Sequence, residues 1–439
     1  MIDPLASPLL ADLYEYTMLQ TYLEQNMEQT AVFEFFVRRL PENRNFLVAA
    51  GLDQALDFLQ NMKYGEEELA WLSMHFPAHV IEYLENFRFT GDVHAMPEGT
   101  IFFRNEPILR VTAPLPQAQL VESRLMNLIN FETLIASKAA RSVLIAKDRL
   151  LVDFGLRRAH GAEAGMLAAR ASYLAGFSGT ATVLAGALYA MPVFGTMAHS
   201  FVQAHESEIA AFEHFARSHP GSTLLIDTYD VEEAAKKVIA LSRKGLSIRS
   251  VRIDSGDLAR HAENVRKILD DAGLHEISIF ASGSLDETRL EDLLDSPING
   301  FGIGTSLVTS GDCPWLDCAY KLQEYAGRPC RKRSEGKATW PGRKQVFRNF
   351  DSNGKMNGDV LTLDSDNQEG EALIIPFMKE GKRLEERIPL QEIRQKTLEN
   401  YETLPDNLKR LEFAPYSVEI SDLLTELAES VDRRGITSL

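Results

Sequence analysis

From about residue 150 the chain alternates between two hydrophobic rhythms. Short apolar runs end abruptly in polar or glycine-rich tetrapeptides: LLVDFGLRR, MPVFGTMAHS, TLLIDTYD, SVRIDSGD, ISIFASGS and GFGIGTS, in that order. Between them, apolar residues recur at helical spacing. Leu258, Ala262, Val265 and Leu269 follow Asp257 on one helical face, and Gly273 is a natural stop. Asp230-Val-Glu-Glu233 and Ser284-Leu-Asp-Glu287 have capping-box form ahead of two more helices. Runs without internal alternation predict strands covered on both faces. Their alternation with helices predicts parallel strands joined by crossovers. A doubly wound sheet and a TIM-like barrel both fit, and both bind ligands at the carboxyl ends of their strands. Polar chemistry closes all six runs, whereas an open sheet concentrates it at one switch point. The pattern therefore predicts an α/β fold built on an irregular TIM-like α/β barrel.

The two ends of the chain read differently. FEFFVRRLP, FRFTGDVHAMPEGTIFF and EPILRVTAP predict short, partly antiparallel strands, and DSNGKMNGDVLTLD near the other end predicts a hairpin. The expected organisation is a flanking α+β domain formed by both chain ends. Residues 1–115 are its N-terminal part, 116–334 the barrel, and 335–439 a C-terminal segment packing with the flanking domain. The uncharged stretch 177–196 has the length of a membrane span, but its Gly, Ser and Thr residues and Pro192 predict a buried helix followed by a buried strand.

Net charge changes the list of partners. At −17, with a pI near 5.1, the 439-residue chain offers no general surface for nucleic acid or anionic membrane. Its three cysteines, Cys313, Cys318 and Cys330, fit a reducing compartment, and their spacing lacks a fourth ligand for zinc. The opening segment has no basic region and carries early acids, unlike a signal peptide. A cytoplasmic location is the expectation.

Candidate chemistry lies at the strand ends. GFGIGTS and ASGSLDE offer glycines and backbone N–H groups on neighbouring strands, which suits a ligand carrying a phosphate. Asp254 and Asp257 could hold ribose hydroxyls, Asp257 alternatively serving only as a helix cap. Arg252 shares a strand face with Asp254, and an inward arginine needs an anion, either Asp254 itself or a substrate carboxylate. His199 stands beside hydroxyls in GTMAHS. Arg38, Arg39, Lys138, Arg141, Lys332 and Lys337 are candidates for phosphate contacts, each alternatively a solvated surface charge.

Together DLYEYTM, DFGLRR, FSGTATV, GTMAHSF, LLIDTYD, RIDSGDL, ASGSLDE, GFGIGTSLVTS and KRSEGKATWPGRK resemble the nicotinate phosphoribosyltransferase family, in order, from about Leu10 to Arg348. The resemblance implies synthesis of nicotinate mononucleotide and pyrophosphate from nicotinate and PRPP, the entry step of NAD salvage. It also implies ATP hydrolysis through a transient phosphohistidine, Mg²⁺ bound with PRPP, and a homodimer with shared active sites. By the same resemblance, nicotinate would meet Tyr14, contributed by the second subunit in the family's arrangement, together with Phe154, Thr196 and Arg252. His199 would be the phosphorylated histidine, Asp254 would hold ribose, and Ser282, Gly283, Gly304 and Thr305 would cradle the phosphoribosyl group.

The nearest rival is nicotinamide phosphoribosyltransferase, whose amide-reading aspartate is replaced here by Ala181 in Gly179-Thr-Ala-Thr182. Quinolinate phosphoribosyltransferase would need a dense cationic cluster for a second carboxylate. A non-catalytic ligand-binding protein on the same fold would have lost strand-end residues that this chain keeps.

Overall fold

Five of the six apolar runs become strands of one parallel sheet in the computed structural model, which describes residues 2 and 5–437. These are Leu150–Asp153, Ser222–Leu225, Ile248–Ile253, Ser278–Ser282 and Gly300–Ile303. The remaining strand is Gly179–Thr180, and MPVFGT supplies only a bridge from Val193 to Thr180. Across the sheet the order is Ser222–Leu225, Ile248–Ile253, Ser278–Ser282, Gly300–Ile303, Leu150–Asp153, Gly179–Thr180. Except for Gly179–Thr180 and Ser222–Leu225, strands adjacent in sequence pair side by side, and the last in sequence pairs with the first. This is the cyclic order of a barrel opened between Gly179–Thr180 and Ser222–Leu225. The sheet has six strands and two edges, so the expected barrel survives in strand order and not in closure.

The chain divides into two compact units, Lys138–Asp312, which holds this sheet, and Met1–Ser137 with Cys313–Leu439. The sequence reading placed its changes at 115/116 and 334/335. In the Lys138–Asp312 unit, helix Val231–Arg243 is capped by Asp230, whose Oδ1 accepts the Glu233 N–H at 2.8 Å. Asp257 likewise caps Leu258–Asp271, accepting from the Arg260 N–H at 3.2 Å, and Gly273 follows at φ +76°. The ASGSLDE cap is shifted from expectation: Asp286, not Ser284, accepts the Arg289 N–H at 2.9 Å. Gly283 and Ser284 both take positive φ to turn the chain off the strand, so the helix starts only at Glu287.

The stretch 177–196 is also corrected. Its strand comes first, and the helix Val183–Tyr189 presents Val183 (73%), Leu184 (58%) and Leu188 (64%) to the outside. Ala185 and Gly186 form its narrow buried side, and a Cβ on Gly186 would come within 2.2 Å of Val193. A seven-residue helix seated on two small residues can bury only one stripe. Among the described residues no helix is long and apolar enough to cross a membrane.

In the other unit both chain ends share one seven-stranded sheet. Its order is Arg328–Pro329, Cys318–Tyr325, Thr30–Val37, Pro107–Pro114, Asp92–Ala95, Ile375–Lys379, Lys382–Arg383. Thr30–Val37 pairs antiparallel on both sides, with Phe35 opposite Tyr320 on one and Leu109 on the other. The expected hairpin forms from Lys344–Phe350 and Met356–Leu363. Glu34, wholly buried, meets the Lys344 ammonium at 2.7 Å, so this buried charge is paired.

Candidate active site

Within the Lys138–Asp312 unit, six strands deliver their carboxyl ends to a common set of polar groups. Ile248–Ile253 brings Arg252 and, just beyond it, Asp254. The Arg252 guanidinium donates to the Met197 carbonyl at 3.2 Å, and its Cζ lies 6.0 Å from the Phe154 ring centroid. Its Nε is buried without a hydrogen-bond partner. Burial pulls its pKa down, against the opposing influence of Asp254 and Asp227. The hydrogen-bond partner of Arg252 is the Met197 carbonyl and not a carboxylate, although Asp254 and Asp227 are near enough to act on its charge.

Phe154 follows Leu150–Asp153, and its N–H is held by the Ile303 carbonyl at 2.8 Å. The ring lies against the neighbouring strand where Gly302 has no side chain; a Cβ there would come within 2.5 Å of it. It is half-buried, with the Phe280 ring centroid 5.9 Å away.

Asp254 accepts a hydrogen bond from Ser282 Oγ, at the end of the next strand. Gly283 then turns at φ +97°, and a Cβ there would fall 2.0 Å from the Asp254 carbonyl oxygen. Only glycine tolerates both conditions. Gly304 precedes the short helix Thr305–Thr309, and its missing side chain leaves space against the Phe154 carbonyl.

His199 opens the short helix His199–Gln203. Its Nδ1 shares a hydrogen bond with Thr228 Oγ1 at 3.1 Å, and Nε2 lies 4.0 Å from Asp227 Oδ1. The Asp227 side chain is 1% exposed, yet Oδ1 has no hydrogen-bond partner. Its Oδ2 accepts from the Asp254 N–H at 2.9 Å and Ser255 Oγ at 2.6 Å. Asp227 is thus bonded to the Asp254 loop and stands beside the histidine. Sequence reasoning quoted its motif and gave it no role; its place directly past a buried strand was the available signal. Thr196, half-buried one residue before Met197, donates to the Met197 carbonyl at 3.2 Å.

The structure thus brings Arg252, Phe154, Thr196, His199, Asp254, Ser282, Gly283, Gly304 and Thr305 into one unit. Tyr14 belongs to the other, on helix Leu13–Glu24, where it is 43% exposed. Asp257 is spent as a cap. Lys138 and Arg141 are committed elsewhere: Lys138 lies 2.7 Å from Glu287 and 2.8 Å from Asp312, and Arg141 lies 2.9 Å from Glu287. Arg38 and Arg39 pair with Asp317, and Lys332 and Lys337 are exposed. Among the described residues no group of three or more His, Cys, Asp or Glu side chains is gathered for a metal, the three cysteines included.

Comparison with known proteins shows the family. Residues 9–130 match the nicotinate phosphoribosyltransferase N-terminal domain, 150–327 the nicotinate phosphoribosyltransferase family model, and 366–428 the C-terminal domain. A nicotinate phosphoribosyltransferase of Mycobacterium tuberculosis, pncB2, is 46% identical over 431 residues, which cover 96% of this chain and 93% of that protein. One from Bacillus subtilis is 38% identical over 371 residues, with 81% and 76% covered. The crystal structure of human nicotinic acid phosphoribosyltransferase matches with a TM-score of 0.84 at 29% identity, covering 96% of this chain and 99% of that one. The chain belongs to the nicotinate phosphoribosyltransferase family.

Proposed function

We propose that the protein joins nicotinate to the ribose 5-phosphate of PRPP, releasing pyrophosphate and forming nicotinate mononucleotide. The observation that carries this reading is Arg252: a largely buried guanidinium beside an aromatic ring, with its Nε unpartnered. A planar fork of donors next to a ring face suits an aromatic carboxylate. Phe154 gives the pyridine ring a stacking surface, and Thr196 lines the same end. The neutral methyl of Ala181 leaves the carboxylate unopposed, where an aspartate would favour the amide. The test is incubation with PRPP, Mg²⁺ and either nicotinate or nicotinamide, with and without ATP, and identification of the nucleotide. Formation of the nicotinamide nucleotide alone would refute the assignment.

Displacing pyrophosphate builds positive charge on the ribose ring, so positioning and electrostatics carry the catalysis. Asp254 is placed to hold ribose hydroxyls, with Ser282, Gly283, Gly304 and Thr305 offering the phosphate cradle. Mg²⁺ bound with PRPP would supply charge neutralisation of the leaving pyrophosphate.

His199 is the proposed acceptor of the ATP γ-phosphoryl group. Its imidazole is 40% exposed, as a phosphoryl acceptor must be, and Asp227 stands beside its Nε2. Attack by a ring nitrogen would break the terminal P–O bond of ATP and release ADP. The exposed Val183, Leu184, Leu188 and Val193 support a homodimer, because an apolar patch of this kind marks an interaction surface. Tyr14 of the partner subunit would then complete the nicotinate site.

A further inference from the structure

We infer that Asp153 is a positioning residue of the nicotinate site, its two carboxylate oxygens fixing the gap between the Phe154 turn and the loop that carries Ala181. This inference rests on the proposed nicotinate chemistry and names a residue that acts on it without touching substrate.

Asp153 ends the strand Leu150–Asp153 and is 1% exposed. Its Oδ1 accepts the Gly155 N–H at 2.8 Å, closing the turn that presents Phe154. Its Oδ2 accepts the Thr180 hydroxyl at 2.7 Å. Thr180 Oγ1 in turn accepts the Thr182 N–H at 3.0 Å, while the Asp153 carbonyl accepts the Ala181 N–H at 2.8 Å. One residue is therefore bonded to both walls, and the relay through Thr180 reaches past Ala181 on either side.

Strand pairing alone does not do this. The backbone ladder already joins Asp153 to Thr180 and Ile303, and the Phe154 N–H is held by Ile303. The carboxylate acts one step beyond, where the ladder has ended and the chain faces ligand. Among the described residues no cation pairs with it, and burial raises its pKa against the two hydrogen bonds that lower it. A buried carboxylate without a cation is a costly way to close a turn. Two acceptor oxygens in a fixed plane give a set separation that one hydroxyl or amide cannot. Asparagine would keep its oxygen for the Gly155 N–H and could meet Thr180 Oγ1 only by donating to it, which reverses that bond and leaves the hydroxyl proton without its carboxylate acceptor.

The geometry also leaves little slack. A Cβ on Gly155 would meet Val308 at 1.9 Å, and the Phe154 ring sits directly on Gly302.

The experiment is steady-state kinetics of the full-length protein carrying Asp153→Asn, Thr180→Val or Thr180→Ser, with both substrates varied. Asp153→Asn and Thr180→Val should each raise the nicotinate KM about tenfold, leave the PRPP KM within about twofold and shrink the nicotinate-to-nicotinamide preference. Thr180→Ser keeps the hydroxyl and should recover the nicotinate KM. Parallel rises in both KM values, or an unchanged nicotinate KM in both variants, would overturn the inference. If Asp153→Asn does not fold, the Thr180 pair decides alone. A wild-type protein that makes no nicotinate nucleotide would fail the proposed function instead, a separate outcome.

Discussion

Arg252 concentrates the site's electrostatics in one side chain. Its charge sits away from water against the Phe154 ring with one carbonyl as hydrogen-bond partner. Arg252→Lys keeps charge and loses the fork, so the nicotinate KM should rise while the PRPP KM stays nearly constant. Truncating one member of a buried hydrogen-bonded charge pair costs about 2–5 kcal/mol, so Arg252→Ala should lower kcat/KM for nicotinate by about 30-fold or more. Equal loss for nicotinate and nicotinamide would show that the guanidinium does not read the carboxylate. His199 makes a second residue-scale prediction. With γ-labelled ATP the wild-type protein should acquire an acid-labile, base-stable label that chases out on adding substrates. His199→Asn should abolish the label and ATP stimulation while slow synthesis continues. ATP hydrolysis that persists in this variant, in step with product, would show that the phosphoryl group goes elsewhere.

At the scale of elements, the strand ends were legible because two signals coincide there: an apolar run stops, and glycines or acids begin. That is how Arg252 and Asp254, and the segments ASGSLDE and GFGIGTS, stood out from their positions, whereas Ser282 and Gly304 were singled out by the family resemblance. Asp153 and Asp227 sat in the same motifs without roles, because burial with a selected set of partners is a property of neighbouring strands. Segment 177–196 misled for a related reason. Its composition is that of a core helix, but the contact on Ala185 and Gly186 is too narrow to bury Val183, Leu184 and Leu188. The Ser284 cap was displaced by the positive φ of Gly283 and Ser284, which sequence pattern does not register. Gly283 supplies the prediction at this scale. Gly283→Ala would place a methyl 2.0 Å from the Asp254 carbonyl at φ +97°, so the Asp254 loop must move. A strained residue of this kind costs about 1–3 kcal/mol, which should appear as a lower Tm with a raised PRPP KM. An alanine variant with wild-type PRPP affinity would show that the cradle does not depend on this turn.

For the molecule as a whole, Glu15 is one group through which pH acts on stability. Burial pushes its carboxyl up to about 8, with Glu122 and Asp12 adding to the effect and hydrogen bonds from Ser123 opposing it. The folded state thus holds a proton that the unfolded chain releases near pH 4.5. Its contribution to stability is complete below that value and is lost as pH rises through about 8. Glu15→Gln should flatten this part of the Tm-against-pH profile, the variant gaining on wild type toward alkaline pH; parallel profiles would refute the assignment. Neighbouring Tyr14 gives the test functional weight, since Glu15 adjoins the residue proposed to reach the nicotinate ring.

The division of the chain has a consequence for its synthesis. Residues 138–312 are one uninterrupted stretch, whereas strand Thr30–Val37 must wait for Cys318–Tyr325 to gain its second neighbour. On the ribosome, the parallel sheet can close its contacts while the earlier sheet still presents an apolar, half-paired edge. Chains stalled or cut after residue 312 should therefore yield a protease-resistant 138–312 fragment together with an aggregation-prone N-terminal remnant. The order in which the units mature would be the reverse of the order in which their first residues are made.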